Sequence, residues 1–131
     1  MSLAALFAPR SVAVLGVSRN PAKLGYRLLE NITAEGYPGP LYAVNPAGEV
    51  ILGRETLPDV ESLPEGIDLA LLSLPAPAVA DALKRLGQRR GRAAVVLSSG
   101  FGEVDERGRA SERDLVGIAR AAGLRLVGPN C

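Results

Sequence analysis

Ser11-Val12-Ala13-Val14-Leu15-Gly16-Val17-Ser18-Arg19-Asn20-Pro21-Ala22-Lys23-Leu24-Gly25 is the stretch whose reading decides the fold. A short run, apolar on both faces, ends at Gly16. Such a run suits a buried strand, and the glycine suits a sharp turn out of it. Asn20-Pro21 then offers an N-cap followed by a proline at the first helical position. Leu24, Leu28 and Ile32 recur four residues apart as one helical stripe, and Gly36 supplies a stop. Strand, glycine turn and helix in succession make the first half of a βαβ unit.

The same alternation continues outward. Residues 40–46, 67–74, 93–98 and 124–128 are further apolar strand segments. A second helix is expected from Pro77, with Val79, Leu83 and Leu86 facing inward, basic residues late and Gly91 at its end. A third has Ser111 and Asp114 at capping-box spacing, a stripe of Leu115, Ile118, Ala119 and Ala122, and Gly123 as its stop. Short helical turns are expected near Leu3–Phe7 and Val60–Leu63. Residues 46–66, rich in proline, glycine and acids, read as an irregular crossover. The expected fold is α/β, a Rossmann-like open parallel sheet of five strands in the order 3-2-1-4-5 with helices on both faces. Ligands of such sheets lie outside the carboxyl ends of the strands where the winding reverses. With that order the crevice falls between the first and fourth segments, at loops 16–25 and 98–103, flanked by 44–46 and 73–79.

Composition narrows the chemistry. The 131 residues make one domain, 1–131, and their 15 basic and 14 acidic side chains leave a net charge of +1. Neither nucleic acid nor a membrane surface is favoured by such a balance, so a bound anion needs a local cluster. There is no histidine and one cysteine. Histidine acid–base catalysis, phosphohistidine chemistry within the chain, an internal disulfide and a multi-cysteine metal cage are all excluded. Cys131 has no histidine base to make it a nucleophile. No run approaches the roughly 20 apolar residues of a membrane span, and the start lacks the pattern of a signal peptide. A cytoplasmic location is therefore expected.

Four loops carry the candidate chemistry. After the first strand, a dinucleotide site wants glycine at the first, third and sixth places, but this turn has Gly16, Ser18 and Pro21. Arg19 and Lys23 add positive charge, so the turn looks suited to an anion without matching a standard NAD site, although an ordinary βα turn with solvated basic residues reads the same. After the second strand comes Val44-Asn45-Pro46, without the carboxylate that NAD sites place on the ribose. Ser73-Leu74-Pro75-Ala76-Pro77 makes a stiff apolar rim suited to an adenine or a pantetheine arm, or merely a turn. Ser98-Ser99-Gly100-Phe101 ends the fourth strand with hydroxyls and a flexible glycine.

Taken in order, Leu6-Phe7-Ala8-Pro9-Arg10-Ser11-Val12-Ala13-Val14-Leu15-Gly16-Val17-Ser18, Lys23-Leu24-Gly25, Gly36-Tyr37, Val44-Asn45-Pro46, Ser98-Ser99-Gly100-Phe101 and Gly128-Pro129-Asn130-Cys131 form a set. This set resembles the N-terminal coenzyme A-binding domain of NDP-forming acyl-CoA synthetases, relatives of the succinyl-CoA synthetase alpha subunit. The resemblance implies a domain that binds CoA or acyl-CoA across the carboxyl edge of its sheet. It would set Gly16, Ser18, Arg19, Asn20 and Lys23 against the CoA phosphates, and Val44, Asn45 and Pro46 beside the adenosine. Ser73, Leu74, Pro75 and Val79 would form the opposite wall, and Ser98, Ser99 and Gly100 would line the approach of the thiol. In complete ligases a phosphorylated histidine on a later domain relays phosphate, with ATP or GTP as donor. This chain has none, so it is expected to be non-catalytic alone and the first domain of a longer ligase.

The implied partners are CoA or acyl-CoA and the remaining domains or subunit of the ligase. No metal is implied, and self-association into a homo-oligomer is left open. Two readings from other classes stand beside this one. One is a non-catalytic CoA-binding regulatory module, stand-alone or fused to an acetyltransferase. The other is an NAD-binding domain, which Ser18, Pro21 and Asn45 disfavour.

Overall fold

The computed structural model describes residues 8–97 and 106–127, with only the backbone of 106–113. In chain order the elements are β1 (Val12–Leu15), α1 (Leu24–Ala34), β2 (Leu41–Val44), β3 (Val50–Ile51) and β4 (Arg54–Glu55). A 3-10 turn (Val60–Ser62), β5 (Leu69–Leu72), α2 (Ala76–Gln88), β6 (Ala93–Val96), α3 (Glu106–Ala121) and β7 (Arg125–Val127) follow. Five strands form one parallel sheet in the order β2-β1-β5-β6-β7, and β3 and β4 pair as a separate antiparallel hairpin.

The chain winds one way from β1 to β2, then returns past β1 and winds the other way through β5, β6 and β7. Right-handed crossovers in opposite directions place their helices on opposite faces of the sheet. Two cores result. Ala13, Leu15, Ala70, Leu72, Ala94 and Val96 share one with α2, α3 and the 3-10 turn. Val14, Ala43 and Leu71 share the other with Leu29 of α1 and Ile51 of the hairpin. Alternate residues of β1 thus enter different cores, and all four of its residues are buried.

The expected α/β class holds, but segment 67–74 is not the third strand across the sheet. It pairs directly with β1, Val12 opposite Leu69 and Leu15 opposite Leu72. A segment apolar on both faces belongs at the centre of a parallel sheet, where both faces are covered. The third place, beyond β2, is held by Leu57 alone. It makes a parallel bridge to Val44. Its N–H donates to Ala43 O and its carbonyl accepts from Asn45 N–H, each at 2.8 Å. With Leu57 counted, the pattern 3-2-1-4-5 continues by one strand. The crevice therefore opens between β1 and β5, which makes residues 73–75 its second lip.

Two helix starts also differ from expectation. Asn20 does not cap α1: its Oδ1 accepts from Ala22 N–H at 2.9 Å and its carbonyl from Lys23 N–H at 3.0 Å. These bonds close a turn ahead of the helix, and Lys23 takes the N-cap position. Helix α3 begins at Glu106, so Ser111 and Asp114 lie inside it. Apart from Gly108, residues 106–110 hold enough good helix formers to extend it. The stops at Gly36 and Gly123 fall where expected, both with φ near +75° (75° and 77°). The second helix ends differently: Arg90, not Gly91, takes the left-handed conformation, at φ 59°. The expected turn near Leu3–Phe7 lies outside the described residues.

Candidate functional site

Gly16 is where β1 meets the turn, and its glycine is required twice over. Its φ is +89°, and a Cβ there would lie 2.0 Å from the carbonyl oxygen of Ser73. The ends of β1 and β5 are thus pressed together, with Ser73 N–H donating to Leu15 O at 2.9 Å. The N–H groups of Gly16 and Val17 both turn to Val44 O at 3.3 Å, so they are committed to the sheet. A Cβ on Gly25 would lie 2.3 Å from Gly16 O. Gly25 therefore does what the last glycine of a dinucleotide fingerprint does, letting the helix pack tightly on the strand end. The fixed spacing of that fingerprint hides it, because the turn here is longer.

Between these glycines the loop is self-supporting. Ser18 Oγ accepts from Asn20 N–H at 2.9 Å, leaving the hydroxyl hydrogen free to donate elsewhere. Arg19, Asn20 and Lys23 are exposed. No side chain caps the first turn of α1, and no acid sits there. An uncapped helix start beside two basic residues favours an anion.

Asn45 ties this loop to the end of β2. It is 6% exposed. Its Nδ2 donates to Val17 O at 2.8 Å and its Oδ1 accepts from Ala47 N–H at 2.8 Å. Its side chain is thus spent on shaping the two loops. The same Nδ2 lies 3.5 Å from Glu49 Oε1, and Glu49 Oε2 pairs with Arg19 Nη1 at 3.1 Å. A carboxylate therefore does stand near the end of β2, contrary to expectation. The β3 hairpin folds it back from four residues beyond Asn45, and Arg19 offsets its charge.

A cleft of about 230 Å³ opens at this edge. Leu15, Gly16 and Val44 form its floor, Pro46, Pro58 and Val60 one wall, and Leu74, Ala78 and Ala82 the other. Asp59, Asp81 and Arg85 stand at the rim. Arg85 pairs with Asp81 at 2.9 Å and with Glu61 at 3.1 Å. Pockets for whole small ligands run roughly 300–1,000 Å³. This slot suits one flat ring, with the rest of a longer ligand on the open edge. Val79 is wholly buried in the larger core and supports the wall from behind, where Ala78 and Ala82 face the slot. Pro75 is exposed at the N-cap of α2. Ser98, Ser99 and Gly100 lie outside the described residues. Larger depressions, about 460 and 500 Å³, lie between α2 and α3 and at the amino end of the sheet, away from the glycine turn. Among the described residues no group of three acidic, histidine or cysteine side chains could hold a metal.

A doubly wound parallel sheet with a basic glycine turn and an apolar slot at its carboxyl edge defines a nucleotide-binding α/β domain. The family model "CoA binding domain" matches residues 10–131, and the chain belongs to that family. It is 42% identical to the alpha subunit of an ADP-forming acetate–CoA ligase I from Pyrococcus furiosus, over 99% of this chain and 29% of the relative. It is 41% identical to a trans-feruloyl-CoA synthase of an unknown prokaryote, over 96% of this chain and 18% of that protein. A "dinucleotide forming" acetyl-coenzyme A synthetase 1 of Candidatus Korarchaeum cryptofilum superposes with a TM-score of 0.92 at 35% identity, covering 98% of this chain and 28% of that one. The chain thus spans less than a third of each of these relatives.

Proposed function

We propose that this chain, residues 1–131, is the CoA-holding first domain of an ADP-forming acid–CoA ligase. Such a ligase joins a carboxylic acid to CoA while ATP becomes ADP and phosphate. One observation carries the reading: the CoA-binding family match runs over 10–131, and the carboxyl edge within it combines a basic glycine turn with a ring-sized slot. In this reading Gly16, Ser18, Asn20 and Lys23 surround the diphosphate, and Arg19, drawn toward the end of β2 by Glu49, faces the phosphate on the ribose. The adenine enters the slot between Val44–Pro46 and Leu74, with Ser73 and Pro75 beside it, Asn45 shaping the loops and Val79 behind the wall. We assign Ser98, Ser99 and Gly100, which lie outside the described residues, to the approach of the thiol.

The remaining machinery, including the histidine this chain lacks, belongs to further domains or a second subunit. The partial coverage of the relatives supports that division. Relatives named for acetate and for trans-ferulate match this domain about equally well, which supports placing acyl selectivity outside it. We place the protein in the cytoplasm; among the described residues no helix is long and apolar enough to cross a membrane.

Ligand-induced thermal stabilisation tests the reading. A ligand that binds the folded state stabilises it as RT ln(1 + [L]/Kd). CoA should raise the melting temperature in a concentration-dependent way and NAD should not. A larger shift with NAD, or none with CoA, contradicts the proposal.

A further inference from the structure

We infer that Glu49 is a positioning residue: it holds Arg19 beside the end of β2 so that the site prefers a ribose bearing a phosphate over one bearing free hydroxyls. This rests on the CoA reading above and goes beyond it by assigning the choice to one ion pair. Sites for unphosphorylated ribose set a carboxylate near the end of the second strand to accept from the hydroxyls. Sites for phosphorylated ribose set an arginine there. Here both groups are present and they face each other, Arg19 Nη1 to Glu49 Oε2 at 3.1 Å.

Glu49 is fixed from two sides. Its carboxylate lies 3.5 Å from Nδ2 of the buried Asn45, and its backbone carbonyl accepts a hydrogen bond from Thr56 Oγ1, itself buried. Arg19 reaches it across 30 residues of sequence and stays 69% exposed in its side chain. One carboxylate oxygen is engaged by Arg19 and the other faces Asn45, so part of the capacity of Glu49 to accept from ribose hydroxyls is already used. The guanidinium has five N–H donors, and the bond to Glu49 takes one. The others remain for a phosphate, which arginine binds in two-pronged fashion. The pair thus anchors the cation while leaving its donors outward, and it lowers the appeal of a hydroxylated ribose.

Binding of CoA and of 3′-dephospho-CoA, measured by calorimetry on the wild type, Arg19→Gln and Glu49→Gln, tests this. The wild type should bind CoA about tenfold or more tightly than dephospho-CoA, as loss of a charge-assisted contact predicts. Arg19→Gln should bring the two affinities within about twofold by weakening CoA alone. Glu49→Gln should leave dephospho-CoA unchanged and lower the preference for CoA, since a neutral side chain no longer anchors Arg19 toward the ribose phosphate. Equal weakening of both ligands by Arg19→Gln, or an unchanged or greater CoA preference in Glu49→Gln, would overturn the inference while leaving the CoA reading standing. Failure of the wild type to bind either compound would overturn the CoA reading and this inference with it.

Discussion

Each end of the sheet buries a polar side chain, Asp68 at the amino end and Asn45 at the carboxyl end, and the two are used in opposite ways. At the amino end Asp68, 5% exposed, is saturated. Its Oδ2 accepts from Arg10 N–H at 2.8 Å, its Oδ1 lies 3.4 Å from Arg92 Nε, and its own N–H donates to Ser11 Oγ at 3.0 Å. Nearby, Tyr37 Oη donates to Pro9 O at 3.0 Å. At the carboxyl end Asn45 is equally buried but neutral, and it shapes two loops that stay open around an uncapped helix start. A parallel sheet gathers its strand ends on both edges. The edge whose charges are paired with one another serves stability, and the edge built from glycine, amide and bare helix end is left for a ligand.

Substitutions at the two ends should separate these roles, and the largest effect falls at the strand end itself. Gly16→Ala puts a Cβ 2.0 Å from Ser73 O at a φ of +89°. It should cost at least about 3 kcal/mol in urea unfolding and abolish CoA binding, because β1 and β5 must part. Next come the buried polar residues. Asp68→Ala leaves the Arg10 N–H without its acceptor and should cost about 1–3 kcal/mol. Little of that is ion pairing, since the Arg10 and Arg92 side chains are 83% and 54% exposed. CoA affinity should stay within about twofold. Asn45→Asp sets a carboxylate against Val17 O where a donor now points. It should cost a similar amount, and in contrast weaken CoA about tenfold by adding negative charge beside Glu49. If Asp68→Ala weakened CoA as much as Asn45→Asp, the division between the ends would fail.

The smallest effect is a pH dependence at the amino end. Burial, and then the charge of Asp68, raise the pKa of Tyr37 above its ordinary 10.0. The folded state keeps this proton at a pH where the unfolded chain has already lost it. Stability should therefore fall as pH climbs from about 10 through the folded-state value, and the fall belongs to the unfolded chain's earlier ionisation. Tyr37→Phe should flatten that alkaline limb in thermal melts at successive pH values. An unchanged limb would show that Tyr37 does not cause it.

The inner sheet strands were legible because burial on both faces writes itself as uninterrupted apolar runs, as in Val12–Leu15 and Ala93–Val96. The stops at Gly36 and Gly123 were legible because a left-handed residue favours glycine. Arg90 shows the limit of that rule, since a longer side chain takes the same conformation beside Gly91. The hairpin left no trace, because strands of two residues have no alternation to detect and its turn puts Leu52 at φ 53°. Glu49 was hidden with it, because only the hairpin brings that carboxylate back toward Arg19. The place of segment 67–74 in the sheet was equally hidden, since runs of apolar residues do not say which neighbour they pair with. The single-residue bridge at Leu57 cannot be told from loop.

The most direct measurement is an amide NMR titration of the 13.6 kDa chain with CoA. Shifts should concentrate at Gly16–Lys23, Ala47–Glu49 and Ser73–Ala78, with residues 65–68 and 90–92 unmoved. Shifts centred on the amino end of the sheet, or on the groove between α2 and α3, would contradict a CoA site at the carboxyl edge.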